Sequence, residues 1–414
     1  MSDGPLTGFR VLEMGSTIAG PFCGRLLADF GAEVIKVEQP EGDAVRSMGK
    51  RYHDKSLYAA SIFRNKSLIS LDLRTAAGRD VVRRLVAHCD VVVENFRPGA
   101  LEAWGLGYED LRAINPALVM VRISGFGQTG PYSRRPGYGV TSEATSGLRH
   151  LTGDPDRPPA RVAVSLTDYI TGLYAALGAV MSLLARMRSG EGQCVDAALY
   201  ESAFSFLEPH VPAYAKLGHV ATRAGSRLPD HTPNNLYAAA DEQFVHITAG
   251  SDSIFKRLAE VMGEPELLAD ERFATAVARS LHEDEIDEII AAWAHRYSGI
   301  DLEEALLDAG IPAARIFTLA DIFRDPHFAA RGMLQTVPDE ELESVTLTGV
   351  VPKLSATPGE IRWSGRRPGQ DTRAVLGQIA GLSEHEIDEL AAARVIRCDE
   401  TTTARPFAEA TNVW

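Results

Sequence analysis

Asp168 has the setting in this 414-residue chain that points most directly to chemistry. Ser165-Leu-Thr-Asp168 stands at the head of a long helical pattern, so the carboxylate falls in the first turn. Free backbone N–H groups and the positive end of the helix dipole favour its ionised form there. An ionised, fixed carboxylate is the nucleophile that attack on an activated acyl group requires. The same residues also read as a capping box, with Ser165 as N-cap, and capping and catalysis do not exclude each other.

Other constellations carry less. Gly125-Phe-Gly127-Gln-Thr-Gly130 matches GxGxxG after a strand, but Pro131 and Tyr132-Ser-Arg-Arg-Pro136 open no helix, so no N–H array faces a pyrophosphate and nicotinamide or flavin is not expected. Gly15…Gly20 lacks the Lys-Ser/Thr of a phosphate-binding P-loop. The 11 histidines form no HxxxH or HxxE pair, there is no GxSxG elbow, and Cys23, Cys89, Cys194 and Cys398 have no zinc spacing; no metal is expected. Arg46, Lys50, Arg51, Lys55, Arg64, Lys66, Arg74 and Arg97 read either as scattered surface charge or as donors converging on a polyphosphate. Glu283-Asp-Glu-Ile-Asp-Glu288 reads as a solvated helix face.

The elements that must position these groups alternate over the first 130 residues. Phe9–Met14, Ala32–Val37, Ser67–Leu73, Asp90–Phe96 and Ala117–Ser124 are aliphatic runs bounded by Gly, Pro or polar clusters, with helical stretches between them, which predicts a parallel sheet covered on both faces. From Ser165 to Arg188 the spacing predicts one long helix rich in Gly and Ala, stopped by Ser189-Gly-Glu-Gly192, with strand resuming over Gln193–Leu199 and a second helix over 199–218. Beyond the polar stretch Ser226–Asn235, strands at Phe244–Ala249 and Ala313–Thr318 with helices near 252–262, 284–296 and 302–308 describe a smaller α+β block. A β-like Ser344–Val351 and a helix near Ser383–Ala393 complete the pattern.

Forty-two Lys and Arg against 56 Asp and Glu leave a net charge of −14, which argues against nucleic acid and anionic membrane as partners. The excess is uneven: residues 1–138 carry 18 basic and 15 acidic groups, +3, and the remainder −17. A mildly basic first third is compatible with an anionic ligand. No apolar run reaches the ~18 residues of a membrane span, the first residues open no signal peptide, and the dispersed cysteines fit a reducing, cytoplasmic setting.

Taken together, the chain resembles the class III CoA-transferase family, which also holds 2-methylacyl-CoA racemases. The resemblance rests on Pro5–Glu13, Ala19-Gly-Pro21, Leu26–Glu38, Gly42-Asp43, Val93-Glu-Asn-Phe-Arg-Pro-Gly99, Gly125–Tyr132, Arg135-Pro-Gly-Tyr138, Asp168 with its helix, and Gly190-Glu-Gly-Gln193, in order from about residue 5 to 395. It implies an α/β fold: a Rossmann-like large domain with a parallel sheet, a smaller α+β domain, and an interlocked, ring-like homodimer. On that pattern residues 1–200 are the N-terminal part of the CoA-binding domain, 201–224 a linker, 225–325 the small domain, 326–350 a second linker, 351–396 the part returning to the large domain, and 397–414 a tail.

The implied activity moves CoA from an acyl-CoA to an acceptor carboxylate, a dicarboxylate by family habit, through an anhydride and then a CoA thioester on Asp168. Coenzyme A, as thioester substrate and product, is the only cofactor implied. By motif position its contacts are Ile18, Ala19, Gln39, Leu71, Arg74, Asn95, Phe96, Arg97, Trp104, Arg135 and Tyr138. Gln39, and Ala103 with Trp104, depart from Arg and Arg-Met in relatives, with Arg46, Arg97 or Arg135 as compensating cations. Arg134, Arg135 and His231 are candidate partners for a second carboxylate. The alternatives are a racemase or epimerase by proton transfer, and a catalytically silent CoA-binding protein. Racemases pair the aspartate with a histidine; Tyr138 occupies that position, which favours transfer. Gly139 follows where many transferases carry Asp, and no glycine-rich lid is present.

Overall fold

The computed structural model describes residues 4–399. It divides into two compact units, one comprising the chain up to Leu148, Ala163–Pro209 and the chain from Phe328 onward, the other Arg149–Val162 and His210–His327.

The first unit is built on a seven-stranded sheet. Along the chain its strands are β1 (Arg10–Glu13), β2 (Glu33–Glu38), β3 (Lys66–Leu71), β4 (Val91–Glu94), β5 (Val119–Ser124) and β6 (Cys194–Ala198), with the short strand Ile396–Arg397 last. Their spatial order is Ile396–Arg397, β3, β2, β1, β4, β5, β6. All pairs are parallel except Ile396–Arg397 on β3. Alternate residues of each strand enter different cores, Leu12, Ile35, Ile69, Val92 and Met120 on one face and Val11, Val34, Val91, Val119 and Val121 on the other. The first face is covered by helices Ala76–Val86, Thr372–Gln378 and Glu384–Ala392, the second by α1 (Ala19–Asp29) and the 24-residue helix Leu166–Ser189.

Small residues set that second contact. A Cβ on Gly172 would lie 2.8 Å from Ala19 O and 2.9 Å from a Phe22 ring carbon, so only glycine lets the long helix approach α1 this closely. The helix ends at Gly190 in the left-handed conformation, φ 74°, as the Ser-Gly-Glu-Gly sequence predicts. Its length and apolar character alone would suit a membrane span, contrary to the expectation that no run does; here its inner face lies in the sheet core. The predicted helix over 199–218 is instead three pieces, Leu199–Phe204, a 3₁₀ turn at Ser205–Leu207, and His210–Leu217.

The chain order reverses at β1: β2 and β3 lie on one side, β4, β5 and β6 on the other. In open parallel sheets the crevice beyond the carboxyl ends of the strands at such a switch point is where ligands bind. The C-terminal segment packs along the β3 edge of the sheet. Asp371 accepts from Leu68 N at 2.8 Å, and Lys55 pairs with Asp339 at 2.8 Å. Residues from 400 onward, most of the expected tail, lie outside the described residues, while Arg397 belongs to the edge strand.

The second unit holds a three-stranded antiparallel sheet (Asn234–Ala238, Phe244–Thr248, Ala313–Arg315) with helices Asp252–Met262, Glu283–Ala294 and Gly299–Asp308 over one core. The acidic run 283–288 is not simply solvated. Asp287 is buried and accepts from Tyr237 Oη at 2.5 Å and from Asn235 Nδ2 and Arg227 Nε at 2.8 Å, tying the 226–235 stretch to the helix. Fully buried Arg279 donates to Thr232 O, Phe273 O and Gly250 O and pairs with Asp252, which fixes the same stretch from beneath.

Candidate active site

The loops after β1, β2, β4 and β5 lie at one edge of the sheet and contain most of the expected binding residues. After β1, Ile18 is the N-cap of α1 with no side-chain cap, and its side chain packs with Val45, Ala59, Ile62 and Phe63; Ile18 and Ala19 are both buried. Gln39 is exposed just beyond β2. After β4, Asn95 uses both ends of its amide on Ser16, accepting from Ser16 N and donating to Ser16 O at 2.8 Å, which stitches the two loops of the switch point together. Phe96 stacks edge-on against half-buried Trp104 at 5.5 Å, and Arg97 beside it is exposed with no side-chain partner among the described residues. After β5 the loop 125–138 contains no helix, as expected; Arg135 lies 3.4 Å over the Tyr132 ring and Tyr138 is exposed.

Two expected contacts sit differently. Leu71 is fully buried in the core of the first unit, so its side chain lines no surface. Arg74 is exposed but already bound to Asp72 at 2.8 Å and to Glu41 at 3.3 Å, which raises its pKa above the ordinary value. Of the other basic groups of the first third, Lys50, Arg51 and Arg97 are exposed, as a scattered surface requires, whereas Arg46, Lys55, Arg64 and Lys66 are structural, which corrects the surface and phosphate-donor readings for those four. Lys66 and Arg64 are buried against Glu13 and Asp29, and Lys55 against Asp339. Arg46, named as a compensating cation, makes a two-pronged pair with Glu38 at 2.7 and 2.8 Å. Buried cations must be paired, and the acidic residues of the same cores supply the partners.

Asp168 reaches this edge through its helix. Ser165 is the N-cap but makes no side-chain cap bond, so the capping-box arrangement is not formed. Tyr169 packs edge-on against Phe22 of α1 at 4.8 Å and its hydroxyl lies 2.7 Å from that of Tyr58. Burial first, then the bond to Tyr169 and the nearby charge of Asp168, hold the Tyr58 phenol protonated well above its ordinary range. The Asp168 carboxylate rests on Gly139, the first residue of the helix Gly139–Thr145, where a Cβ would come within 2.8 Å of the carboxyl carbon. Half-buried, close enough to the Tyr58 hydroxyl for its charge to act on it and packed against the bare backbone of Gly139, the carboxylate is held rather than freely rotating. Sequence reasoning missed Tyr58, Tyr169 and the seat on Gly139; the only signal was that glycine stands directly after Tyr138.

No three His, Cys, Asp or Glu side chains converge as metal ligands among the described residues. Loops gathered at the switch point of a parallel sheet, with a seated carboxylate beside them, are the arrangement in which α/β enzymes bind their ligands. The model of CoA-transferase family III matches residues 6–372, and the chain belongs to that family and is a CoA-transferase. It is 48% identical over 394 residues, 95% of this chain and 98% of the relative, to a succinyl-CoA–D-citramalate CoA-transferase of Chloroflexus aurantiacus. It is 40% identical over 397 residues to the β subunit of a succinyl-CoA–L-malate CoA-transferase of the same organism, covering 95% of this chain and 98% of that one. A crystal structure of a CaiB/BaiF family protein from Brucella suis superposes with a TM-score of 0.82 at 36% identity, over 91% of this chain and all of that chain.

Proposed function

We propose that this enzyme transfers CoA from succinyl-CoA to a small hydroxydicarboxylate of the citramalate or malate type, with Asp168 as the covalent carrier. The observation that carries this reading is the Asp168 carboxylate, seated on Gly139 at the rim of the switch-point crevice. Relatives named for succinyl-CoA as donor and citramalate or malate as acceptor supply the substrate class.

In the first step an Asp168 carboxylate oxygen attacks the thioester carbonyl, the C–S bond breaks, and CoA thiolate leaves, giving a succinyl–aspartyl anhydride. The thiolate then attacks the Asp168 carbonyl; the anhydride C–O bond breaks, succinate leaves, and CoA is held on Asp168 as a thioester. The acceptor carboxylate attacks that carbonyl and expels the thiolate, and the thiolate attacks the acceptor's acyl carbon, regenerating Asp168. Each exchange conserves the activation of the thioester, so no other energy source is needed. The Gly139 backbone keeps the carboxylate in place during four displacements, with the Tyr58 hydroxyl close by.

The CoA moiety lies, in this reading, across the loops after β1, β2, β4 and β5, with exposed Arg97 offered to phosphate and Arg74 sharing its charge with Asp72. Arg134 and Arg135, exposed on the loop after β5, are the candidates for the acceptor's second carboxylate. Tyr138 where racemases use histidine leaves no second base, which argues against racemisation. We infer a homodimer as well: Leu173, Leu177, Met181, Leu184 and Met187 form one half-exposed apolar stripe along the helix Leu166–Ser189, a face that a second copy would cover. The free thiols fit a cytoplasmic protein.

The test is incubation of succinyl-CoA with D- and L-citramalate, malate and glutarate, with the acyl-CoA products read by mass spectrometry and the enzyme quenched with hydroxylamine. Transfer to a hydroxydicarboxylate and a hydroxamate on the Asp168 peptide are expected. Full activity in Asp168→Ala, or a product differing from the donor only in chirality, would sink the reading.

A further inference from the structure

Beneath the loop that follows β1 lies a charge cluster that the reaction itself does not use. Glu13, Lys36, Glu38, Asp43 and Lys66 are all buried, and the Lys36 and Lys66 ammoniums lie 5.5 Å from the Phe63 ring centroid. Lys66 is absorbed by Glu13 Oε2 and Pro21 O, both at 2.6 Å. Lys36 is turned to the loop: its ammonium donates to Gly15 O and pairs with Asp43 at 2.9 Å. Asp43 in turn accepts from Thr17 N at 3.1 Å and Val45 N at 3.0 Å, while its own N–H is held by Glu38 at 3.0 Å.

Three consecutive loop residues are thus gripped one by one, Gly15 by Lys36, Ser16 by Asn95 and Thr17 by Asp43. The grip has a visible effect on the backbone. Thr17 is held at φ 69°, a left-handed conformation that a β-branched residue seldom adopts without outside support. A buried ion pair is a poor way to stabilise a fold, because desolvating both charges cancels most of their attraction. What such a pair supplies is fixed geometry, here in the loop that leads into α1 and meets Asn95 across the switch point.

We propose that Lys36 and Asp43 are positioning residues for acyl-CoA: they set the 15–18 loop in the shape that receives the nucleotide end of the substrate, without touching it. The inference rests on the proposed function, which places CoA on this loop. Despite the burial that works against charge on both, their mutual attraction keeps Lys36 protonated above its ordinary pKa and Asp43 ionised below its own, so the pair persists across the working pH range.

Asp43→Ala removes both the ion pair and the anchor of Thr17; Asp43→Asn loses the ion pair but keeps an acceptor for Thr17 N. Full-length variants would be compared with wild type by steady-state kinetics with succinyl-CoA and the preferred acceptor, by calorimetric titration with CoA alone, and by thermal melting. The expected result is an acyl-CoA KM raised about tenfold in Asp43→Ala and two- to fourfold in Asp43→Asn, CoA affinity weakened in parallel, and kcat and the acceptor KM within about threefold of wild type. Asp43→Glu, which restores the charge, recovers part of the loss. Unchanged acyl-CoA KM, a loss confined to kcat, or failure of Asp43→Asn to fold would each overturn the assignment while wild-type turnover leaves the proposed function standing. A wild-type enzyme that neither binds CoA nor transfers it would overturn both.

Discussion

Replacing Gly139 by alanine sets a methyl group against the Asp168 carboxylate. The new Cβ lies 2.8 Å from the carboxyl carbon, whereas non-bonded carbons settle at about 3.5–4.0 Å. Asp168 Oδ2 would lie closer still, so the carboxylate must retreat by at least about 1 Å, and as the end of a side chain it yields more easily than backbone. Gly139 is helical rather than left-handed, and alanine is the better helix former, so the fold itself loses little. A displacement of about 1 Å in a reacting group costs on the order of a hundredfold in rate, or about 2.7 kcal/mol of barrier. The expectation is a kcat for CoA transfer reduced about a hundredfold, with a melting temperature within a few degrees of wild type and hydroxylamine trapping at Asp168 reduced in step. The assay follows acyl-CoA exchange by chromatography at saturating substrates. Wild-type kcat in Gly139→Ala would refute the idea that the carboxylate works from its seat on Gly139, and a large fall in melting temperature would make the glycine a packing residue instead.

Three further outcomes are expected. Arg97→Ala removes the exposed cation beside Phe96 and raises the acyl-CoA KM about tenfold, equivalent to about 1.4 kcal/mol, with the difference from wild type shrinking as salt is added; a salt-independent effect would argue against a phosphate contact. Burial pushes Glu94 up to about 7 from 4.5, against the pull of Arg122 and the Phe96 N–H. The folded chain then keeps a proton that the unfolded chain releases, so stability falls by up to ~1.4 kcal/mol per pH unit between about pH 4.5 and 7 and flattens above. Urea unfolding at several pH values should show that slope in wild type and not in Glu94→Gln; parallel curves would refute it. Arg279→Met strips three carbonyls and Asp252 of their buried partner and should cost about 3 kcal/mol or more in the unfolding of the second unit; a calorimetric trace unchanged from wild type would contradict that role.

Much of the first unit could be read directly. Aliphatic runs of strand length alternating with helical periodicity lead to a parallel sheet, because each strand must be apolar on both sides to be covered on both faces, and β1 to β6 lie within a few residues of those runs. Asp168 was legible because its cue is local, a carboxylate in the first turn of a strongly periodic helix. The broken helix over 199–217 was not, since its periodicity is continuous while the packing of its pieces is not. Asp287 was misread for a similar reason: an acidic run looks solvated until Tyr237, Asn235 and Arg227 are seen to converge on one member of it.

The charge arithmetic marks the boundary most clearly. That the first third carries +3 is a property of composition, and it does not say which of those charges face a ligand. Which of its cations remain for a ligand depends on tertiary partners: Asp339 claims Lys55, Glu13 claims Lys66 and Glu38 claims Arg46, while Lys50, Arg51 and Arg97 are left exposed. Pattern and composition suffice for periodicity, strand burial and the place of Asp168 on its helix, because those are local preferences. Most pairings of buried charges, such as Lys55 with Asp339, and the seat of Asp168 on Gly139 join residues tens to hundreds of positions apart, which no local rule can supply.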